Sequence, residues 1–432
     1  MTTATLSEQD TPGLNKIQLS TILVCFLMNI LDGMDVLIIS YCAPAIAEAW
    51  DVSPEALGAV FSAGLAGMTI GALFVAPSAD LIGRKTMILL SACLISVTVF
   101  ITAYSNSILM LILLRLLSGV GIGTMLASTT ALASEYAPDK TRDFWVSFMI
   151  SGYPVGAVLS GLVAADIVPE YGWQVMFKIA AAGSLFTIPL IWFFLSESVQ
   201  FYLKRQPENA LEKANRILAK MNRKTLDALP IPSADTKKIP GSQLLKSEYR
   251  LPTIGLWTAL FLAFCSLYFL TSWIPKLASN TNLSMSLAIY AGTIFNSGAF
   301  IGILTQGYFS SKFGLKKTIG IFLMATAILM LTFRFYVESD WLLVVFGLLG
   351  FGIQGGFVGL YAVSARMYPT EFRTTGVGWS IGVGRLGGVI GPALGGILIG
   401  AGLAMVGSFM VFAIPTFLAG LTTLFISSKN VS

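Results

Sequence analysis

Long apolar runs separated by short polar stretches dominate this chain. Twelve runs of about 20 residues recur, each long enough to cross roughly 30 Å of hydrocarbon as a helix rising about 1.5 Å per residue. They fall at about 18–41, 56–79, 87–104, 108–133, 144–166, 175–196, 252–274, 285–310, 317–336, 341–363, 375–399 and 404–427. The pattern predicts an all-α membrane protein, because a helix satisfies its own backbone polar groups in a medium without water. Between the sixth and seventh runs the pattern changes. Residues 197–251 are polar and basic, and they carry Pro230, Pro232 and Pro240. Within them, Pro207-Glu-Asn-Ala-Leu-Glu-Lys-Ala-Asn-Arg predicts a surface helix with proline in its first turn. Leu211, Ile217, Leu218 and Met221 give that helix an apolar stripe. The chain thus divides into a six-helix half, 1–196, a linker, 197–251, and a second six-helix half, 252–432.

Composition supports the membrane reading. The chain is 55% hydrophobic and 11% charged, against about 25% charged for a soluble chain. The first 16 residues are polar, and the run that follows is too long for a signal-peptide core, so the first span is expected to remain. Of the 27 lysines and arginines, only Lys178, Lys276 and Arg334 fall on the side opposite the termini, while Arg115 and Arg385 lie within spans. This bias predicts that both termini are cytoplasmic. The net charge of +5 then belongs to the cytoplasmic flank and calls for no nucleic-acid partner. Histidine is absent, which excludes Ser/His/Asp and Cys/His catalysis. There is no metal-binding cluster and no nucleotide-binding loop, and Cys25, Cys42, Cys93 and Cys265 lack metal-ligand spacing. No cofactor is expected, and any proton carried must ride on a carboxylate.

An offset of 231 residues superimposes landmarks of the two halves. Gly67 falls on Gly298, Gly71 on Gly302, Gly83 on Gly314, Gly119 on Gly350, Gly121 on Gly352, Pro138 on Pro369 and Arg142 on Arg373. Six spans followed by six spans are parallel repeats, which commonly form a substrate site near the midplane between the halves.

The charges inside the spans are the candidate chemistry. Asp32 and Asp35 sit in Asn29-Ile-Leu-Asp32-Gly-Met-Asp35 with apolar flanks, on neighbouring positions of one helix face. A carboxylate in hydrocarbon costs at least a few kcal/mol and is retained where it moves or holds something. Asp32 lies about 14 residues into the first span and Arg115 about seven into the fourth, which enters from the other side. The two depths, roughly 21 Å and 10 Å, sum to one bilayer. Asp32 and Arg115 are therefore expected to pair, with protonation of Asp32 releasing the pair. Arg385 lies about ten residues into the eleventh span, near the midplane. No acidic residue within a second-half span neutralises it, so an anionic substrate is its natural partner. Asn29, Tyr153, Tyr268, Trp273, Asn296, Gln354 and Tyr361 are candidates to complete a substrate site, with rings suited to stacking. Trp257, Trp341 and Trp379, near span ends, read as interfacial anchors.

Several motifs carry a resemblance. Ala76-Pro-Ser-Ala-Asp80-Leu-Ile-Gly83-Arg84-Lys85 resembles the loop between the second and third spans of the major facilitator superfamily, though Ala76, Ser78 and Leu81 depart from the usual residues. Arg115-Leu-Leu-Ser-Gly-Val-Gly-Ile-Gly resembles the family's fourth-span motif. That span ends in Ser-Glu135-Tyr-Ala-Pro138 with Arg142 following, a pattern frequent in the sugar-porter and organic-acid branches. The resemblance implies a twelve-helix, two-repeat fold working by alternating access. It also implies a gating role for Asp80, Gly83, Arg84, Lys85, Glu135, Arg142 and Arg373, with Asp80 pairing to a base on a neighbouring helix. The Asp32-Gly-Met-Asp35 element resembles the aromatic acid:proton symporters within that superfamily. It implies proton-coupled uptake of a small organic anion across a bacterial-type inner membrane, with Asp32, Asp35 and Arg115 in coupling. A ring-derived dicarboxylate such as cis,cis-muconate is the rival substrate, and a facilitator or exporter of organic anions the rival direction. The expected partners are the acid, protons and the lipid bilayer, with a monomer as the working unit.

Overall fold

A computed structural model describes residues 14–138, 141–230, 244–281, 283–368 and 373–426. Among them, eleven helices are long and apolar enough to cross a membrane. The first half holds α1, Lys16–Trp50; α2, Pro54–Ile70; α3, Arg84–Thr102; α4, Ile108–Tyr136; α5, Gly152–Tyr171; and α6, Trp173–Phe194. The second half holds α7, Ser247–Ser279; α8, Met285–Phe313; α9, Leu315–Leu331; α10, Leu342–Met367; α11, Arg373–Gly400; and α12, Met405–Phe425. The twelfth crossing is α9, whose 17 residues span about 25 Å.

Two helices depart from regularity where their sequences require it. Beyond Ile70, α2 continues through a π turn, Gly71–Val75, and a 3-10 turn, Ala76–Ser78, to Ile82. Pro77, which has no N–H to offer, sits in the 3-10 turn. The stretch Arg142–Ile150 leads into α5 across a break at Ser151. Helix α1 runs nine residues past the end expected from hydropathy, through Pro44, and stops at Asp51 in the left-handed region. The linker helix is Ala210–Lys220, behind Asn209 at φ +58°. Pro207 therefore lies outside its first turn and accepts a bond from the Ala210 amide. Ile217, Leu218 and Met221 of its stripe are buried. Pro232 and Pro240 lie outside the described residues.

The repeat is a repeat of contacts. A Cβ on Gly67 would overlap the Leu116 carbonyl, and one on Gly298 the Gly347 carbonyl. Gly71 meets Val120 as Gly302 meets Phe351, and Gly156 meets Ile30 as Gly387 meets Phe261. Every partner is displaced by the same 231 residues as its glycine. Close backbone approach through small residues is how helices associate in lipid, where burial supplies no drive. Gly83 and Gly314, at φ +100° and +90°, each make the tight turn between the second and third helices of their half.

The halves meet on one side only among the contacts described. Ser62 Oγ donates to the Val389 carbonyl at 2.7 Å and Ser286 Oγ to the Ala165 carbonyl at 2.9 Å. Gly58 packs on Pro392, and Phe61 meets Trp273 edge-on at 5.2 Å. All lie toward the ends of α2, α5, α7, α8 and α11 remote from Lys16 and Phe425.

Candidate functional site

Helix α1 carries both aspartates into the interior, with Asp32 3% and Asp35 1% exposed. Gly33, between them, lets α5 approach so closely that a Cβ would overlap the Tyr153 carbonyl. The expected Asp32–Arg115 pair is not the one formed. Arg115 Nη1 lies 3.4 Å from Asp35 Oδ1 and donates to the Asp35 carbonyl at 3.2 Å. Three residues are about 4.5 Å of rise, less than a depth estimate from sequence resolves. Lateral position decides instead: the two aspartates sit about 60° apart around α1, and α4 meets the Asp35 side. Arg115 Nε and Nη2, Asp35 Oδ2 and Asp32 Oδ2 have no hydrogen-bond partner among the described residues. The guanidinium lies 5.3 Å from the Phe177 ring centre, a cation–π contact.

Asp35 and Arg115 face a cavity of about 30 Å³ between the halves, which Ser118, Tyr268, Thr271 and Ser272 also line. That volume holds about two waters. Asp32 faces a second, smaller space of about 10 Å³ inside the first half.

Arg385 on α11 is half-buried and makes no hydrogen bond or ion pair among the described residues. It lies within electrostatic range of Tyr153, Tyr268 and Tyr361, and Tyr153 is also within range of Asp32. Two rings absent from the sequence expectation join this group. Phe264 stacks on Tyr268 at 5.8 Å and meets Phe357 edge-on at 4.6 Å, while Phe357 meets Tyr361 at 5.2 Å. The signal was available, since Phe264 and Tyr268, like Phe357 and Tyr361, stand four apart on one helix face. Gly384 and Gly388 leave room for the Phe264 and Tyr268 rings beside Arg385.

Other candidates sit elsewhere. Asn29 is fully buried, its Nδ2 donating to the Cys25 carbonyl at 3.0 Å and to Met149 Sδ at 2.7 Å, so it faces the start of α5 and not the space between the halves. Trp273 meets Phe61 across the halves and is held within its own half by donating to the Pro392 carbonyl. Asn296 Nδ2 donates to Tyr41 Oη at 3.3 Å, and that hydroxyl donates to the Ala157 carbonyl at 3.0 Å, so Asn296 belongs to a bridge joining α1, α5 and α8. Gln354 is half-buried without a side-chain hydrogen bond. Trp257 stacks on Trp379 at 6.1 Å, while Trp341 is exposed.

The motif residues between α2 and α3 form a network with the end of α4 and the start of the linker. Arg84 pairs with Glu135, and Ser198 Oγ donates to Glu135 at 2.6 Å. Glu197, which sequence reasoning missed, accepts from the Arg84 and Lys85 amides at 2.7 and 3.1 Å. A carboxylate at a helix N-terminus satisfies orphan amides and complements the dipole, so Glu197 caps α3 behind Gly83. Lys85 Nζ donates to the Trp192 carbonyl. Asp80 is exposed and lies 3.9 Å from Arg84, the first residue of α3. Arg84 thus pairs with both Asp80 and Glu135, the closer contact being to Glu135 on α4. Arg142 is exposed, and the Arg373 side chain lies outside the described residues.

Comparison with known proteins fits this architecture. The Major Facilitator Superfamily model matches residues 25–306 and 256–431. The 4-hydroxybenzoate transporter PcaK of Acinetobacter baylyi is 32% identical over 395 residues, covering 90% of this chain and 86% of that protein. The gallate transporter of Pseudomonas putida is 31% identical over 409 residues, covering 93% and 90%. Among solved structures, the xylose transporter XylE of E. coli in a partially occluded inward-open conformation superimposes with a TM-score of 0.76 at 17% identity, over 96% of this chain and 99% of that one. With twelve membrane helices in two contact-matched repeats and a charged site between them, the chain belongs to the Major Facilitator Superfamily and is a multi-pass membrane transporter, not an enzyme.

Proposed function

We propose that this protein imports an aromatic carboxylate together with protons across a bacterial inner membrane by alternating access. The observation that carries the reading is Arg385, a guanidinium without an ionic partner among the described residues, within electrostatic range of Tyr268 and Tyr361, whose rings pack with Phe264 and Phe357. A fork of N–H donors next to aromatic walls matches a planar acid, with two parallel hydrogen bonds for the carboxylate and ring faces for the rest. Relatives named for gallate and 4-hydroxybenzoate support the substrate class. With both termini cytoplasmic, the closed side is the outside, so this is an inward-facing state. Asp32 and Asp35 supply the titrating groups, and neutralising one by protonation removes an uncompensated charge before the halves rock. A monomer contains the whole path.

A ring-derived dicarboxylate is the second reading, favoured by the unpartnered Nε and Nη2 edge of Arg115. Uptake into proteoliposomes with an alkaline interior, using labelled benzoate, 4-hydroxybenzoate, gallate and cis,cis-muconate, tests both. Accumulation of an aromatic acid that collapses with a protonophore is the expected result. Equilibration without accumulation makes the protein a facilitator, and preference for muconate selects the second reading.

A further inference from the structure

The two aspartates of α1 open onto different spaces. Asp35 faces the cavity between the halves, shared with Arg115 and the α7 hydroxyls. Asp32 faces a cavity of about 10 Å³ whose lining comes entirely from α1, α3, α4 and α6 of the first half. That space holds about one water. Its apolar walls include Ala92 and Ile95 from α3 and Met125 from α4, and its polar lining is Asp32, Ser184 and Thr187. Asp32 Oδ2 has no hydrogen-bond partner among the described residues, although the residue is only 3% exposed. Thr187 Oγ1 donates to the Ser184 carbonyl at 2.6 Å, which leaves its lone pairs free. A buried water needs two to four polar partners, and this pocket offers a carboxylate oxygen and two hydroxyls.

The geometry points to a proton station off the substrate path, in which one water held by Ser184 and Thr187 on α6 delivers the coupling proton to Asp32 and receives it back. This rests on the symport reading above and deepens it: Asp32 carries the proton, while Asp35 stays engaged with Arg115. Loading converts hydronium and carboxylate into water and carboxylic acid, and release reverses the step into the same water. The titratable and charged groups around Asp32 are Asp35 on its own helix, Tyr153 on α5 and Arg115 on α4, which Asp35 holds; the lining from α3 and α6 carries none. A substrate ring in the space between the halves leaves this station undisturbed, so proton and acid occupy the carrier together.

Ser184 and Thr187 are thus positioning residues, and the double variant Ser184→Ala/Thr187→Val tests them. It removes the polar partners while nearly keeping shape. In proteoliposomes with 4-hydroxybenzoate, the external pH of half-maximal net uptake is expected to move upward by about one unit, so that uptake at the alkaline end is about tenfold above wild type. Counterflow at saturating substrate on both sides, which needs no proton release, stays at the wild-type rate. Ser184→Thr and Thr187→Ser, which keep the hydroxyls, retain the wild-type profile. An unshifted profile in the double variant overturns the station, and so does parallel loss of counterflow, because the hydroxyls would then act through the fold. Wild-type accumulation indifferent to the proton gradient is a different failure: it removes the symport reading itself.

Discussion

Replacing Asp35 and Asp32 in turn by asparagine separates the two carboxylates by stability alone. Asp35→Asn leaves the Arg115 guanidinium buried at 3% exposure with no counter-charge. Breaking a buried pair from one side costs about 3–5 kcal/mol, most of it the stranded charge. Adding Arg115→Gln removes that charge, so the double variant is expected to regain most of the loss. Asp32→Asn deletes an unpartnered buried acid, and its effect is expected within about 1 kcal/mol of zero, on the stabilising side. The chain carries its own assay. Cys25, Cys42 and Cys265 are buried and Cys93 is exposed, so in a Cys93→Ala background a thiol-reactive dye reports thermal unfolding of detergent-purified protein. The expected order of melting temperature is Asp32→Asn at or above wild type, the Asp35→Asn/Arg115→Gln double below it, and Asp35→Asn lowest. Equal losses for the two single variants, or additive losses in the double, would refute the Asp35–Arg115 pairing.

Other outcomes follow from the same contacts. Arg385→Lys keeps the charge but loses the fork, at about 1.5–3 kcal/mol for a charged hydrogen bond; the half-saturation constant for benzoate counterflow is expected to rise about 10–150-fold, and a value within twofold of wild type would exclude bidentate binding. Asn29→Ala, buried against Met149, leaves that constant unchanged within about twofold. Glu197→Ala uncaps α3 and lowers stability by about 1–2 kcal/mol in the dye assay, whereas Asp80→Asn stays within about 0.5 kcal/mol. Tyr41→Phe removes the hydroxyl that joins Ala157 and Asn296, about 1 kcal/mol; a cysteine placed at Thr271 is then labelled about fivefold faster by an impermeant reagent from outside.

What the sequence made legible was whatever repeats with a period. Apolar runs placed the membrane helices, and the 231-residue offset placed the glycine contacts, because close approach forbids a side chain wherever it occurs. Helix ends were less legible: Lys16–Trp50 runs beyond its hydrophobic stretch because a membrane helix need not stop at the hydrocarbon edge. Partners across helices were least legible. Both Asp32 and Asp35 lay within the depth error of Arg115, and only the angle at which α4 meets α1 chose between them. Glu197 went unread because its ligands are backbone amides, which carry no residue signature.

The repeat explains the scaffold but not the chemistry, and the difference bears on mechanism. At the same offset Asp32 corresponds to Ala263, Asp35 to Ser266, Arg115 to Phe346, and Arg385 to Pro154. The glycine contacts are symmetric because each half packs its own six helices in the same way. On the symport reading the charges are asymmetric because a single coupling site suffices, and a second set would leave more carboxylates to neutralise in each cycle. The carboxylates belong to one half and the unpaired cation to the other, so a proton on the first half and an anion on the second change the electrostatics of the same interface. Their additions are opposite in sign: together they cancel, while either alone leaves the interface charged. A charge between closing halves is disfavoured by desolvation, so on the symport reading the empty and the doubly loaded carrier are expected to rock while the singly loaded one is held back. That difference is sufficient for coupling without direct contact between proton and substrate.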